Sequence, residues 1–231
     1  MRGHILVCLA LLAAQATVPE VEIAAEPHHH LALENTSVRV FYVDVPPRTE
    51  TLMHWHRHDY IAVNLGDAEV VNAVKDRPPV VINLQDAQTI FSPATFAHIA
   101  RNLADQPFRN VTIEILEDEA LRRAHPNWDE DRALITFEGR TQQILFVKDA
   151  IRVSELELEP GAVIPMHHHA GPHLLVAVND LDLHEKFSND VHPIDIGNLK
   201  SGECKWLSGN YSHAITNTGP KLAKFVTLEF P

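Results

Sequence analysis

The sequence predicts an all-β protein built as two successive copies of one barrel. Three observations carry that expectation. Apolar and β-branched residues fall in many short runs separated by Pro, Gly and Asn turns, the pattern of sandwiches and barrels. The same residues recur in the same order in both halves: Met53-His-Trp-His and Met166-His-His-His lie 113 positions apart, and His98-x-x-x-Asn102 and His213-x-x-x-Asn217 lie 115 apart. Each half also carries a His-x-His run and a lone His about 45 residues later. The repeat is far too long for a solenoid and near the usual size of a domain.

The chain has 231 residues, enough to bury one large or two small cores. There are 19 basic against 31 acidic residues and no basic patch, which excludes nucleic acid as an expected partner. The first residues read as a secretory signal. Met1-Arg2-Gly3-His4 is a basic start, residues 5–14 are apolar, and Ala14-Gln15-Ala16 is a small-x-small cleavage pattern. The apolar run is too short to span a bilayer. Residues 1–16 are therefore assigned as a signal peptide cleaved near Ala16, and the mature protein is expected to be exported (periplasmic or secreted), with no membrane span. Val7 before Cys8 argues against a lipoprotein signal. Cleavage leaves Cys204 alone, so no intramolecular disulfide is expected.

In chain order, residues 17–26 read as a loosely held arm and His28-His29-His30 as a solvated terminal tract, with a ligand role as the less favoured alternative. Residues 37–45 are rich in β-branched and aromatic residues and form a strand stopped by Pro46-Pro47. In residues 51–66, His54, His56, His58 and Tyr60 share one parity. Short strands follow at 69–74, 80–84, 89–91 and 108–116. Around 117–125, Leu and Ala among charges predict a short helix ending before Pro126, then a polar linker. The domains are thus 17–120, a linker over 121–144, and 145–231. In the second half His167 and His169 share one face of a strand, and His173 joins them if the alternation resumes after Gly171-Pro172. Several imidazoles on one face pack poorly without partners, and a divalent transition metal supplies one.

The paired motifs resemble those of the cupin superfamily, and over about residues 33–116 and 145–230 the chain resembles a bicupin: two tandem jelly-roll, or double-stranded β-helix, barrels joined by a short helical linker. Gly161, His167 and His169 fit the first cupin motif, with His173 in the place of the usual Glu. Gly202, His213 and Asn217 fit the second, with Ser208 and Asn210 replacing its Pro and Gly. In the first half His54, His56, His98, Asn102 and Pro93 fit. Arg48 replaces the first Gly, Thr95 an inner Gly, and Tyr60 the Glu.

The resemblance implies metal ligands at His167, His169, His173 and His213 in the second half, and at His54, His56 and His98 in the first. Tyr60 would be a fourth ligand, a proton donor or a packed ring, and His58 an alternative ligand. Fe, Mn, Ni, Cu or Zn all suit such sites. The leading functional expectation is a metal-dependent oxygenase acting on a small organic molecule, as quercetin and gentisate dioxygenases do among bicupins. The alternatives are a non-oxidative cupin enzyme (decarboxylase, lyase or isomerase) and a non-enzymatic binding cupin. A homodimer through edge strands is also compatible with the family.

Overall fold

The computed structural model describes residues 19–116, 134–188 and 196–231. The signal segment 1–16 and the helix expected before Pro126 lie outside them. The first half contains β1 (Glu20–Glu22), β2 (His29–Glu34), β3 (Val38–Val45), β4 (Met53–His56), β5 (Tyr60–Leu65), β6 (Ala68–Val74), β7 (Val80–Leu84), β8 (Thr89–Ser92), β9 (Phe96–Asn102) and β10 (Phe108–Ile115). The second contains β11 (Leu134–Phe137), β12 (Arg140–Lys148), β13 (Ile151–Leu158), β14 (Val163–His169), β15 (His173–Ala177), β16 (Leu181–Phe187), β17 (Asn198–Leu199), β18 (Cys204–Leu207), β19 (Tyr211–Asn217) and β20 (Ala223–Glu229). One 3-10 turn, Ile23–Ala25, interrupts this all-β order. No helix among the described residues is long and apolar enough to cross a membrane.

Each half folds two sheets against each other. The first pairs the order β1-β4-β9-β6-β7 with β2-β3-β10-β5-β8; the second pairs β14-β19-β16-β17 with β11-β12-β13-β20-β15-β18. The duplication extends to the register. His54 stands opposite His98 as His167 does His213. Arg39 stands opposite Glu114 as Arg152 does Glu229. Tyr60 stands opposite Glu114 as His173 does Glu229. One irregularity is confined to the second copy, where β14 bulges between Ile164 and His167.

Strand alternation sorts the core into three. Phe41, Val43 and Val45 point into the first barrel, while Val38 and Val40 of the same strand point outward. Leu156 and Leu158 point into the second barrel, and Ile151 and Val153 point outward. The two outward sets, with Val111, Ile113, Leu174, Val226 and Leu228, form one shared cluster that joins the barrels face to face. Each such side chain contributes about 1.5–3 kcal/mol on full burial. These strands therefore read as near-continuous apolar runs, since both of their faces are covered. Trp206 and Cys204 pack against this cluster, and burial pushes the Cys204 thiol up to about 11, so it is inert at neutral pH.

Left-handed backbone is kept where the motif glycines are replaced. Arg48 has φ 60° where the second copy has Gly161 at 78°, and Thr95 has φ 72° where it has Asn210 at 63°. Asn tolerates this region; β-branched Thr does so at a cost of about 1–3 kcal/mol. Asn102 and Asn217 act alike as turn anchors, their buried amides donating to carbonyls that include Val45 and Leu158.

Three features differ from the sequence expectation. The arm 17–26 is held: β1 pairs parallel with β4, and Ile23 is buried. Of the tract His28-His29-His30, only His30 is solvated; the His29 side chain is 5% exposed and is held by Glu26. Residues 134–144, assigned to the linker, are paired strand, with β12 hydrogen-bonded along β13. Polar Thr141, Gln142 and Gln143 beside the Glu138-Gly139 turn hid this; β11 lies at the edge of its sheet, where a strand carries polar residues on its open side.

Candidate metal centres

Two histidine clusters lie inside the two barrels, and their coordinating atoms are mutually within 4.8 Å: His54, His56 and His98 in the first, His167, His169 and His213 in the second. In each, the His-x-His comes from a strand running antiparallel to the strand of the lone His.

In the second cluster the hydrogen bonds assign the tautomers. His167 Nδ1 donates to the Pro165 carbonyl at 2.8 Å, His213 Nδ1 bonds the Glu185 carboxylate, and His169 Nδ1 lies 3.4 Å from the Glu229 carboxylate. The Nδ1 protons of His167 and His213 are thus committed on the outside, and the Glu229 carboxylate draws that of His169 to the same side. The three Nε2 lone pairs face one another at 2.9, 3.1 and 3.2 Å. Three lone pairs cannot hydrogen-bond to each other. Nitrogens bound about 2.0–2.1 Å from one ion, at right to tetrahedral angles, lie roughly 2.9–3.4 Å apart. The donor set therefore fits a cation, with the carboxylate–imidazole backing typical of such sites.

Burial holds His167 down to about 4, so its ring is neutral and ready to coordinate at neutral pH. Burial opposes ionisation of Glu229, but the bonds from His169 and Arg152 win and keep it below the usual carboxylate range. Arg152 Nε donates to it at 2.6 Å. His173 is buried beside this cluster. Its ring stacks on His169 at 4.0 Å between centroids, its Nε2 lies 3.3 Å from the Tyr211 hydroxyl, and its Nδ1 has no partner. Burial pushes His173 down to about 3. The exposed His168 faces the other way, toward Ser212.

The first cluster is built alike but secured differently. His54 Nδ1 donates to the Leu52 carbonyl at 2.8 Å, which leaves its buried Nε2 without a partner. His98 Nδ1 bonds Asn72 Oδ1 at 2.7 Å, and its Nε2 lies 3.2 Å from that of His56. His56 Nδ1 is buried and unpaired. Burial takes His54 down to about 4; burial and neighbouring imidazoles drive His56 and His98 well below the usual range. Tyr60 stacks on His56 at 4.3 Å, and burial raises its hydroxyl above the ordinary tyrosine value against a hydrogen bond with Ser92. His58 sits in the bend after β4, outside the cluster. Trp55 lies outside the barrel under Arg57 and bonds Glu20 of the arm.

The cavities differ in size. The first is about 100 Å³ and the second about 410 Å³. The second is walled by Leu156, Leu175, Ile215 and Phe225, with Arg152 and Thr227 among its polar groups.

Many solved structures share this architecture. A Bacillus subtilis oxalate decarboxylase OxdC variant superposes with TM-score 0.61 at 12% identity, over 85% of this chain and 69% of its own. AerE from Microcystis aeruginosa superposes with TM-score 0.61 at 14% identity, over 89% of this chain and 93% of its own. The fold is the cupin fold. It occurs here as two tandem barrels, in agreement with the motifs. No protein-family model matches the sequence, and no curated protein matches it. At such identities the likeness establishes the cupin architecture, and any chemistry must be argued from the sites.

Sequence reasoning had named all six clustered histidines. It missed the groups behind them, Asn72, Glu185 and Glu229, and the buried Glu26 that holds His29. The signal for Glu185 was present, since it follows Leu181 and Leu183 on the buried parity of β16, where an acid needs a reason. Glu229 matches Glu114 at the same 115-residue offset as the lone histidines, but the sequence alone gives it no role.

Proposed function

We propose that the chain is an exported, metal-dependent bicupin enzyme whose second barrel is the reaction site, and that it acts as an oxygenase on a small organic molecule. The observation that carries the metal reading is the second triad: three converging Nε2 lone pairs, each ring held from behind by a carbonyl or carboxylate. Bound there, a redox-active ion would polarise a chelating oxygen of the substrate and supply O2 chemistry. The chain's own part is positioning. Glu185 holds His213, and Glu229 ties His169 to Arg152. The apolar wall excludes water, and the larger cavity leaves room for a ligand beside the imidazoles. The first triad is read as a second metal site, with more deeply buried histidines and a smaller cavity.

A second reading is favoured by His173 and Tyr211. A buried imidazole that lines the cavity, with an unpartnered Nδ1 and a tyrosine hydroxyl 3.3 Å from its Nε2, makes a proton-carrying pair at the cavity wall. It suits non-oxidative decarboxylase or lyase chemistry, and oxalate decarboxylase is among the structural neighbours. Metal analysis combined with oxygen-electrode measurements tests these readings. Two equivalents of a redox metal per chain and O2 uptake on turnover support the oxygenase. Turnover without O2 uptake supports the second reading, and a chain that takes up no metal contradicts both. Export is tested by N-terminal sequencing of secreted or periplasmic protein, which should begin after Ala16.

A further inference from the structure

The N-terminal arm brings a fourth imidazole to the first barrel. Glu26, with a fully buried side chain, accepts hydrogen bonds from the backbone N–H of Leu52 at 3.1 Å and of His28 at 2.8 Å, and binds His29 Nδ1 at 2.6 Å. Leu52 also accepts the His54 Nδ1 proton, so arm and ligand strand are locked through one residue. With its Nδ1 proton on Glu26, His29 keeps an Nε2 lone pair. Its ring lines the first cavity, 4.6 Å from the His54 ring and 6.5 Å from that of His56 between centroids.

The repeat shows that this is particular to the first barrel. His29 stands opposite Val43, and Gln142 stands opposite Leu156, the equivalent position in the second barrel. Conversely, the second barrel has His173 where the first has Tyr60. Each barrel thus carries a triad and one further buried imidazole, delivered by a different strand.

We propose that His29 is a fourth metal ligand of the first barrel, backed by Glu26, so that the N-terminal arm closes this site. This rests on the reading of the first triad as a metal site. A carboxylate behind an imidazole fixes its tautomer and raises its basicity, the usual support of a ligating histidine. The small cavity and the held arm suit an ion enclosed by protein better than one open to substrate.

The test uses cobalt(II) as probe in the full chain carrying His213→Ala, which confines binding to the first barrel. Affinity is titrated, and the visible d–d bands report coordination number. Adding His29→Ala or His29→Gln should weaken binding at least tenfold and change the d–d spectrum; Glu26→Gln should weaken it less, without removing a ligand. Denaturation of the metal-free variants checks that each is folded, and the glutamine variant, which can still bond Glu26, preserves the arm if alanine does not. Unchanged affinity and spectrum in folded His29→Gln protein would overturn the proposal while leaving the triad as a site. No cobalt binding by the His213→Ala chain itself would overturn the metal reading of the first barrel, and this proposal with it.

Discussion

The two barrels share the register of their histidine strands, yet the groups behind their histidines differ. The lone His is backed by Glu185 in the second barrel and by Asn72 at the same place in the first. The second histidine of His-x-His is backed by Glu229 in the second barrel; in the first, His56 Nδ1 is unpaired and Glu114, the counterpart of Glu229, binds Arg39 at 3.3 Å. Burial raises Glu114 above the usual carboxylate range against that arginine, whereas Glu229 is lowered. Duplication thus kept the imidazoles and changed their electrostatics. The second site places two carboxylates against the Nδ1 atoms of its triad and opens into the larger cavity. The first has a neutral amide, the Glu26–His29 pair and little free volume.

The largest effect should come from removing a ligand on one side only. His213→Ala is expected to abolish metal in the second barrel while the first keeps its own, so metal content falls from two equivalents to one. Loss of both together would show that the sites are not independent.

Smaller effects should follow the backing groups. Glu185→Gln is expected to weaken metal binding in the second barrel 10–100-fold, the usual effect of an outer-shell partner. Asn72→Glu should strengthen the first site, drawing the two toward equality. Titration of single-site variants reads both, and equal affinities before and after would break the comparison.

Acid should act on the metal-free protein through the same histidines. Folding lowers His54 and His167 from 6.5 to about 4, and His173 to about 3. The folded state therefore binds fewer protons than the unfolded one in this window. The stability that these neutral rings contribute is present above about pH 6.5 and is lost as pH falls toward 4. Denaturant midpoints of metal-free protein should drop across that range, and a flat profile would contradict the burial of neutral rings.

The smallest effect concerns the turns. Thr95→Gly should stabilise the chain by about 1 kcal/mol by relieving a left-handed β-branched residue, while Asn210→Gly at the equivalent turn should be nearly neutral. Chemical denaturation measures both.

Much of this was legible before any coordinates. Local alternation and the 113–115 residue repeat disclosed the two barrels, and His-x-His with a distant His disclosed both clusters, because ligand type and strand parity are written locally. What sat behind the ligands was not. Glu185 reaches His213 across a strand pair and Glu229 reaches His169 from the facing sheet, and such pairings depend on closure of the barrel. The position of His29 was hidden for another reason. A terminal His tract has the composition of a solvated tail, and only the buried Glu26 and the parallel pairing of β1 with β4 draw it inside.

The central claim is that converging Nε2 lone pairs make the second barrel a metal site. X-ray absorption at the metal edge would test it most directly, on protein with the first site disabled by His54→Ala and His98→Ala and purified without chelators. The account predicts one bound transition metal with at least three imidazole nitrogens at about 2.0–2.2 Å, lost on further His167→Ala substitution. A folded second barrel that binds none of Fe, Mn, Ni, Cu or Zn, or a metal whose coordination is untouched by His167→Ala, would contradict it.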